Sequence, residues 1–539
     1  MAAFSPEDLT KLITMLEALV EDRTLLADVP EERRRALLIA AGRVSRPTRF
    51  EQQRSTKAFR IISKKQKRDQ DRVLRASTEI RAARRVEVFS PPTRQLSSGT
   101  DEETIGELTK SRDCYVCKAA FTKVHPFYDA MCRPCAELNY AKRFQTASLV
   151  GRTALITGAR IKIGYQAALM MLRAGANVIV TTRFPRDAAS RYAREPDFAV
   201  WKDRLEVYGL DLRHVPSVEI FARYLTQTKE RLDILINNAA QTVRRPPGFY
   251  THMVELEMAP LHDLPKDVQH LVRGHEACKQ AISVDAPSGG HVLSEPNGVN
   301  GVNDATDANG STNQRRSAIA APMADGFVAW SGDGPGTGIR ASALLSQIPC
   351  EFDDPQNDHE IFPAGRTDLD LQQVDLRKMN SWRMTLSQVP SPEMLEVQLV
   401  NAVAPFILCS KLKDLMLRHP TNEKHIVNVS AMEGQFARRT KTDKHPHTNM
   451  AKAALNMMTL TSAPDYAASG IFMNAVDTGW VTDEDPALLS ARKQEEHDFQ
   501  PPLDIVDGAA RICDPFFNGL ITGEHVWGKF LKDYAVCEW

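Results

Sequence analysis

Residues 153–164 read Thr153-Ala154-Leu155-Ile156-Thr157-Gly158-Ala159-Arg160-Ile161-Lys162-Ile163-Gly164. A short apolar and β-branched run passes directly into a glycine-bearing turn. Beyond it, Ala167, Ala168, Met171 and Leu172 fall at spacings of three and four, the stripe of one helix face. Strand, turn and helix N-terminus in succession gather main-chain N–H groups and the positive end of a helix dipole at one point, where an anionic phosphate is stabilised. A second strand pattern, Asn177-Val-Ile-Val-Thr-Thr182, follows at the distance of a βαβ unit. These residues predict an α/β fold with a doubly wound parallel sheet. Alone, the glycine pattern is a weak signal.

The pieces downstream strengthen it. Leu210-Asp211-Leu212 follows a strand beginning near Leu205, and Leu232-Asp-Ile-Leu-Ile236 ends in Asn237-Asn238-Ala239-Ala240. Asn401 lies in a helix opened by Ser391-Pro392-Glu393. His425-Ile-Val-Asn-Val-Ser430 is a further strand, and Lys452 precedes the helical run Ala453-Ala-Leu-Asn-Met-Met. In this order the chain resembles the short-chain dehydrogenase/reductase family over about 150–258 and 370–539. The resemblance implies that Thr157, Gly158, Ile163 and Gly164 hold a pyrophosphate. It places Asp211 and Leu212 against adenine, and Asn237 and Ala239 beside the adenosine ribose. It also implies Lys452 on the nicotinamide ribose, with Val481 and Thr482 near the carboxamide. Lys162 departs from the family pattern, standing where that pattern has its middle glycine.

NAD-binding relatives need a carboxylate near the end of the second strand, for the ribose hydroxyls. Here that stretch reads Thr181-Thr182-Arg183. Arg160, Lys162 and Arg183 offer positive charge suited to a 2′-phosphate, so the expected coenzyme is NADP(H), with NAD as the alternative.

The family's catalytic set is Asn, Ser, Tyr and Lys, of which Asn401 and Lys452 remain. The tyrosine position, four before Lys452, is Thr448, and the serine position is Ala431, with Ser430 one residue early. Pro405, four after Asn401, cannot donate to its carbonyl and should kink the helix. His447 either presents an imidazole beside the vacated tyrosine position or is a loop bystander. Ser430 serves if the register slips by one residue, and Asp477 reads as a turn cap. Losing a general acid costs about 10²–10⁴ in rate, which weakens catalysis without abolishing it. Two functions follow: an NADP(H)-dependent oxidoreductase on a carbonyl or alcohol with a non-standard centre, or a non-catalytic NADP(H)-binding sensor or scaffold. A nucleic-acid or protein adaptor is a third.

Outside the α/β blocks, Cys114-Tyr-Val-Cys117 and Cys132-Arg-Pro-Cys135 form paired C-x2-C knuckles, spaced for a structural Zn²⁺ with four thiolates; His125 between them reads as a surface residue. Docking on the neighbouring domain is the expected role of this module. Thirteen Lys and Arg against four Asp and Glu lie between Arg49 and Arg85. This basic helix is either a solvated face or a contact for a protein or nucleic-acid partner. Across all 539 residues, 68 Lys and Arg balance 68 Asp and Glu, which excludes a general polyanion coat. No run of about 18 apolar residues and no secretory start is present, so the expectation is an intracellular protein, cytoplasmic or nuclear, without membrane contact. Relatives of the resembled family suggest homo-oligomers.

The resulting organisation is a basic helical region at 1–88, a zinc module at 105–148, the Rossmann halves at 150–258 and 370–539, and an insertion at 259–369. The insertion's Gly/Asn/Ser-rich part, about 283–325, is expected to lack order. Arg244, Arg245 and Arg383 at its edges are candidates to recognise an acidic or phosphorylated substrate.

Overall fold

The computed structural model describes residues 5–86, 104–284, 336–349, 359–438 and 440–539. The Pro/Ser-rich hinge at 90–99 and nearly all of the 283–325 segment lie outside these. The chain divides into two compact units, Met1–Val73 and Leu74–Trp539. In the first, Ser5 and Asp8 close a capping box at the start of the helix Pro6–Glu21. The helix Glu31–Ser45 and the long basic helix from Arg49 follow, and none of the three buries a residue.

The second unit holds two sheets. Strands β1 (Gly106–Asp113) and β2 (Ala120–Val124) form an antiparallel hairpin. Strands β3 (Thr153–Thr157), β4 (Asn177–Thr182), β5 (Leu205–Gly209), β6 (Ile234–Asn237), β7 (Lys424–Ser430), β8 (Ile471–Asp477), β9 (Phe530–Lys532) and β10 (Ala535–Cys537) form an eight-stranded sheet. Its order is β10-β9-β8-β7-β6-β3-β4-β5, parallel except for the edge strand β10. The chain builds outward from β3 to β5, then returns to β6 on the other side of β3. That reversal opens a crevice at the carboxyl ends of β3 and β6, where doubly wound sheets bind ligands.

Side-chain alternation explains why the strands are apolar on both faces. Ala154, Ile156, Val178, Val180, Ile234 and Ile236 face a layer containing the helices Lys162–Arg173 and Ile505–Thr522. Leu155, Ile179 and Leu235 face the opposite layer, with the helices Val215–Thr228 and Ala404–Leu417. The first part of the insertion belongs to this core: the helix Lys266–Val284 packs Val268, Leu271 and Val272 into it at the β5 edge. Ile339, from the far side of the insertion, joins Leu210 and Leu212.

The hairpin, the knuckles and the helix Arg133–Lys142 dock on the α/β domain through an apolar cluster. Phe121, Phe127, Tyr128 and Met131 meet Val481, Leu503, Ile505 and Val506 there. Beside it, one Arg143 guanidinium nitrogen bridges Asp504 at 2.7 Å and Asp507 at 2.8 Å, with all three side chains buried. The Tyr128 hydroxyl donates to the same Asp507 at 2.5 Å. The flanking carboxylates hold the Arg143 pKa well above its ordinary value despite burial. Removing the cation leaves two desolvated carboxylates, so Arg143→Met should lower the unfolding free energy by about 3–5 kcal/mol. Urea denaturation checks this; a change below about 1 kcal/mol, the range of an exposed pair, would contradict it.

Candidate functional site

The crevice at the strand ends has a volume of about 730 Å³, within the range of small-molecule sites. Its floor is the turn after β3. Gly158 adopts φ +67°, and a Cβ there would stand 2.8 Å from the Ala239 Cα. A Cβ on Gly164 would meet the Asn238 side-chain nitrogen at 2.4 Å. Both positions therefore need glycine for main chain to approach main chain. Lys162, in the pattern's middle-glycine position, keeps a glycine-like φ of +56°. Its ammonium stands 4.0 Å from Asp370, just after the insertion.

Gly158, Arg160, Lys162, Ile163, Gly164, Arg183, Asp211, Leu212, Ala239 and Thr482 all line the crevice. Thr157, Asn237 and Val481 do not. Thr157 is buried beneath the turn, and its hydroxyl accepts from the main-chain N–H groups of Asn238 and Ala239. The Asn237 amide donates to Asn428 at 2.8 Å inside the protein. Val481 packs into the cysteine module's apolar cluster. Asn238, to which the sequence reading gave no role, braces the turn by donating to the Thr157 and Gly158 carbonyls at 2.9 and 3.0 Å. A polar residue beside the Asn237 motif was the only signal for it.

The three basic candidates differ in how much of their charge is already satisfied. Arg160 is buried; it pairs with Asp187 at 2.7 Å and donates to Gln372 at 2.5 Å. Lys162 is about a third exposed and reaches only Asp370. Arg183 donates to the Tyr250 hydroxyl at 2.7 Å, lies over that ring, and pairs with no carboxylate among the described residues. Asp211 is buried and gripped by Arg213 at 2.6 Å, which holds its pKa below the usual range against the pull of burial. The edge arginines proposed for an acidic substrate each have a partner: Arg244 with Glu396 at 3.5 Å, Arg245 with Asp375, and Arg383 with Asp485 at 3.8 Å. Arg244 is buried, whereas Arg245 lines the crevice and Arg383 is nearly half exposed.

Of the crevice-lining residues, none belongs to the set Asn401, Ser430, His447, Thr448 and Lys452, though Asn401 and Thr448 bond to the main chain of Gln241 and Thr242, which do line it. Asn401 sits in a π-helical turn, Leu399–Val403, where Pro405 is expected to interrupt regular α-helical bonding. Its side chain accepts from the Gln241 N–H at 2.7 Å and donates to the Gln241 carbonyl at 2.9 Å. The Thr448 hydroxyl donates to the Thr242 carbonyl at 3.4 Å. The Ser430 hydroxyl donates to Asn456 at 2.6 Å. His447 is buried with neither ring nitrogen bonded, and burial pushes its pKa down, so it is held neutral. Lys452 is buried and donates to the Val429 carbonyl at 2.7 Å. Burial lowers its pKa to about 8, with Glu433 and Asp477 pulling the other way. Asp477 in turn is raised to about 6, chiefly by burial, while it accepts from the Gly479 N–H as a turn cap.

Away from the crevice, the sulfurs of Cys114, Cys117, Cys132 and Cys135 all lie within 4.8 Å of one another. Four thiolates held about 2.3 Å from one tetrahedral ion stand about 3.8 Å apart, so the cluster fits such an ion. His125 is not on the surface: half-buried, it accepts from the Phe127 N–H at 3.0 Å and stays outside the cluster.

The short chain dehydrogenase model matches residues 152–255, and the enoyl-(acyl carrier protein) reductase model matches residues 379–500. An uncharacterized protein of Acanthamoeba polyphaga mimivirus is 27% identical over 423 residues, 76% of this chain and 72% of the viral one. Retinol dehydrogenase 13 of Mus musculus is 36% identical over 105 residues, which is 20% of this chain and 30% of that enzyme. The chain thus spans under a third of the length of that mammalian relative. Among solved structures, Pseudomonas aeruginosa RhlG with NADP aligns over 71% of this chain and 95% of its own at 16% identity, with a TM-score of 0.39. The NADPH-bound carbonyl reductase from chicken fatty liver covers 72% of this chain and all of its own at 14% identity, also with a TM-score of 0.39. With the parallel sheet and the glycine turn, the two family models fall on the two halves of one α/β domain, so residues 152–255 and 379–500 of this chain are of short-chain dehydrogenase/reductase type.

Proposed function

We propose that the protein is an NADP(H)-dependent oxidoreductase acting on a carbonyl or alcohol, with a non-standard catalytic centre in which Lys452 and Asn401 belong to the proton relay. The observation that carries the coenzyme half is the pairing of a cradle only glycine can form, at Gly158 and Gly164, with an Arg183 that makes no ion pair among the described residues and acts on Asp211 only from a distance. Gly158, Ile163 and Gly164 would hold the pyrophosphate, Asp211, Leu212 and Ala239 the adenosine, and Arg183 with Lys162 the 2′-phosphate. A bound nicotinamide would supply hydride chemistry, leaving the protein to manage one proton.

Lys452 suits that task. An ammonium with a pKa near 8 is protonated at neutral pH yet gives up its proton far more readily than an ordinary lysine. Thr448, one helical turn away, cannot ionise in this range and can only orient. Asn401 is locked at the π-turn to the main chain of Gln241, which lines the crevice.

The second reading, a coenzyme-binding sensor without turnover, has its own support. Both hydroxyls nearest the family's serine and tyrosine positions are bonded to protein acceptors. A fluorescence titration followed by a carbonyl-reduction screen separates the readings: NADPH binding with slow turnover supports the first, and binding with none across the panel supports the second. Failure to bind either dinucleotide removes both.

Arg183→Ala should weaken NADPH binding about ten- to hundredfold while leaving NADH nearly unchanged, the loss expected for a charge-assisted contact to phosphate. Equal losses for the two coenzymes would remove Arg183 from the 2′-phosphate site.

Turnover in the reductive direction should fall as pH rises through about 8, because Lys452 loses its proton there. Lys452→Met should abolish that limb along with most of the rate, and a limb persisting in the variant would assign the proton to another group.

A further inference from the structure

We propose that Cys114, Cys117, Cys132 and Cys135 bind one zinc ion, and that through Tyr115 this site fixes the 477–482 loop at the end of the dinucleotide crevice. The second half rests on the coenzyme reading above. Four thiolates are a soft, fully protein-supplied donor set, which selects zinc among the common divalent ions and leaves no open position for catalysis. Such a site acts by holding its own backbone still. What that backbone holds next is therefore the point of interest.

Tyr115 lies inside the first knuckle, between Cys114 and Cys117. Its main-chain N–H donates to the Ala130 carbonyl at 2.8 Å, tying it to the second knuckle's approach. Its side chain leaves the module, and its hydroxyl accepts from the Trp480 N–H at 2.9 Å. Val481, the next residue, packs in the apolar cluster shared with Cys114, Phe127 and Tyr128. Thr482, one further on, lines the crevice. At the loop's other end Asp477 caps the turn at Gly479, with Lys452 close enough to feel its charge. Within six residues the chain thus passes from the lysine's surroundings, over the tyrosine of a metal knuckle, to the crevice wall. Besides Tyr115, the Leu503 N–H holds the loop by donating to the Trp480 carbonyl at 3.3 Å, while the ring of Trp480 is nearly half exposed and touches Phe499. Tyr115 is accordingly a positioning residue, acting through Trp480 and Val481 rather than by touching a ligand.

The full-length protein provides the test. Metal analysis should find about one zinc per chain, as one four-thiolate site requires. Hydrogen exchange at the amides of 479–482 and NADPH fluorescence titration are then compared in three forms: the protein as purified, the chelator-stripped protein and Tyr115→Phe. Stripping should speed exchange at these amides and weaken NADPH binding. Tyr115→Phe keeps all four ligands, so it should retain its zinc, yet speed exchange at Trp480 and weaken NADPH about three- to tenfold, the scale of one lost hydrogen bond. A purified protein that holds no zinc and takes none up when zinc is added overturns the metal site. Zinc-loaded Tyr115→Phe with unchanged exchange at Trp480 overturns the coupling. If the purified protein binds no NADPH but exchange at Trp480 still responds to zinc and to Tyr115→Phe, the clamp stands and the coenzyme reading falls.

Discussion

The Thr157 hydroxyl accepts from the N–H groups of Asn238 at 3.1 Å and Ala239 at 3.0 Å, and the Asn238 amide answers by donating to the Thr157 and Gly158 carbonyls. This seam joins the ends of β3 and β6, the two strands between which the chain reverses its direction of build. Backbone groups at a strand end lose their ladder partners and must find others when buried. Here they find the Thr157 hydroxyl and the Asn238 amide, which closes the floor of the crevice and leaves the N-terminus of the helix Lys162–Arg173 facing into it. The close approach of Gly158 to Ala239 is a consequence of the same seam.

Charge around the crevice obeys a second constraint. Arg160, Arg213, Arg244 and Arg245 are drawn inward and each meets a carboxylate: Asp187, Asp211, Glu396 and Asp375 respectively. A desolvated guanidinium without a partner is costly, so the fold neutralises those it covers. Part of the covering is done by the segment just after the insertion, whose Gln372, Asp375 and Arg377 form part of the crevice wall. Arg183 escapes this pairing because it sits at the mouth, against Tyr250.

The cysteine module shows the complementary economy of a small unit. It has too few apolar residues for a core of its own and completes one with Val481, Leu503, Ile505 and Val506 of the larger domain. The polar seal of that contact, Arg143 with Asp504 and Asp507, coincides with the capping box that starts the helix Ile505–Thr522. Module, helix start and the 477–482 loop are therefore one packed assembly.

The α/β class, the glycine turn, the paired knuckles and the vacated tyrosine position at Thr448 were legible in the sequence because each depends on local order: a strand next to a turn, two residues between cysteines, four residues before a lysine. The break in regular α-helical bonding around Asn401 was legible for the same reason, since a proline lacks the N–H wherever it stands. What each polar side chain does with its hydrogen bonds was not legible. Ser430 bonds to Asn456, Thr448 to Thr242 and Arg160 to Asp187, partners brought together only when helices and insertion close over the sheet. The pKa of Lys452 near 8 and the reach of Tyr115 to Trp480 are of the same kind. Local sequence sets backbone preference and spacing; burial and partnership are properties of space, and residues hundreds of positions apart settle them.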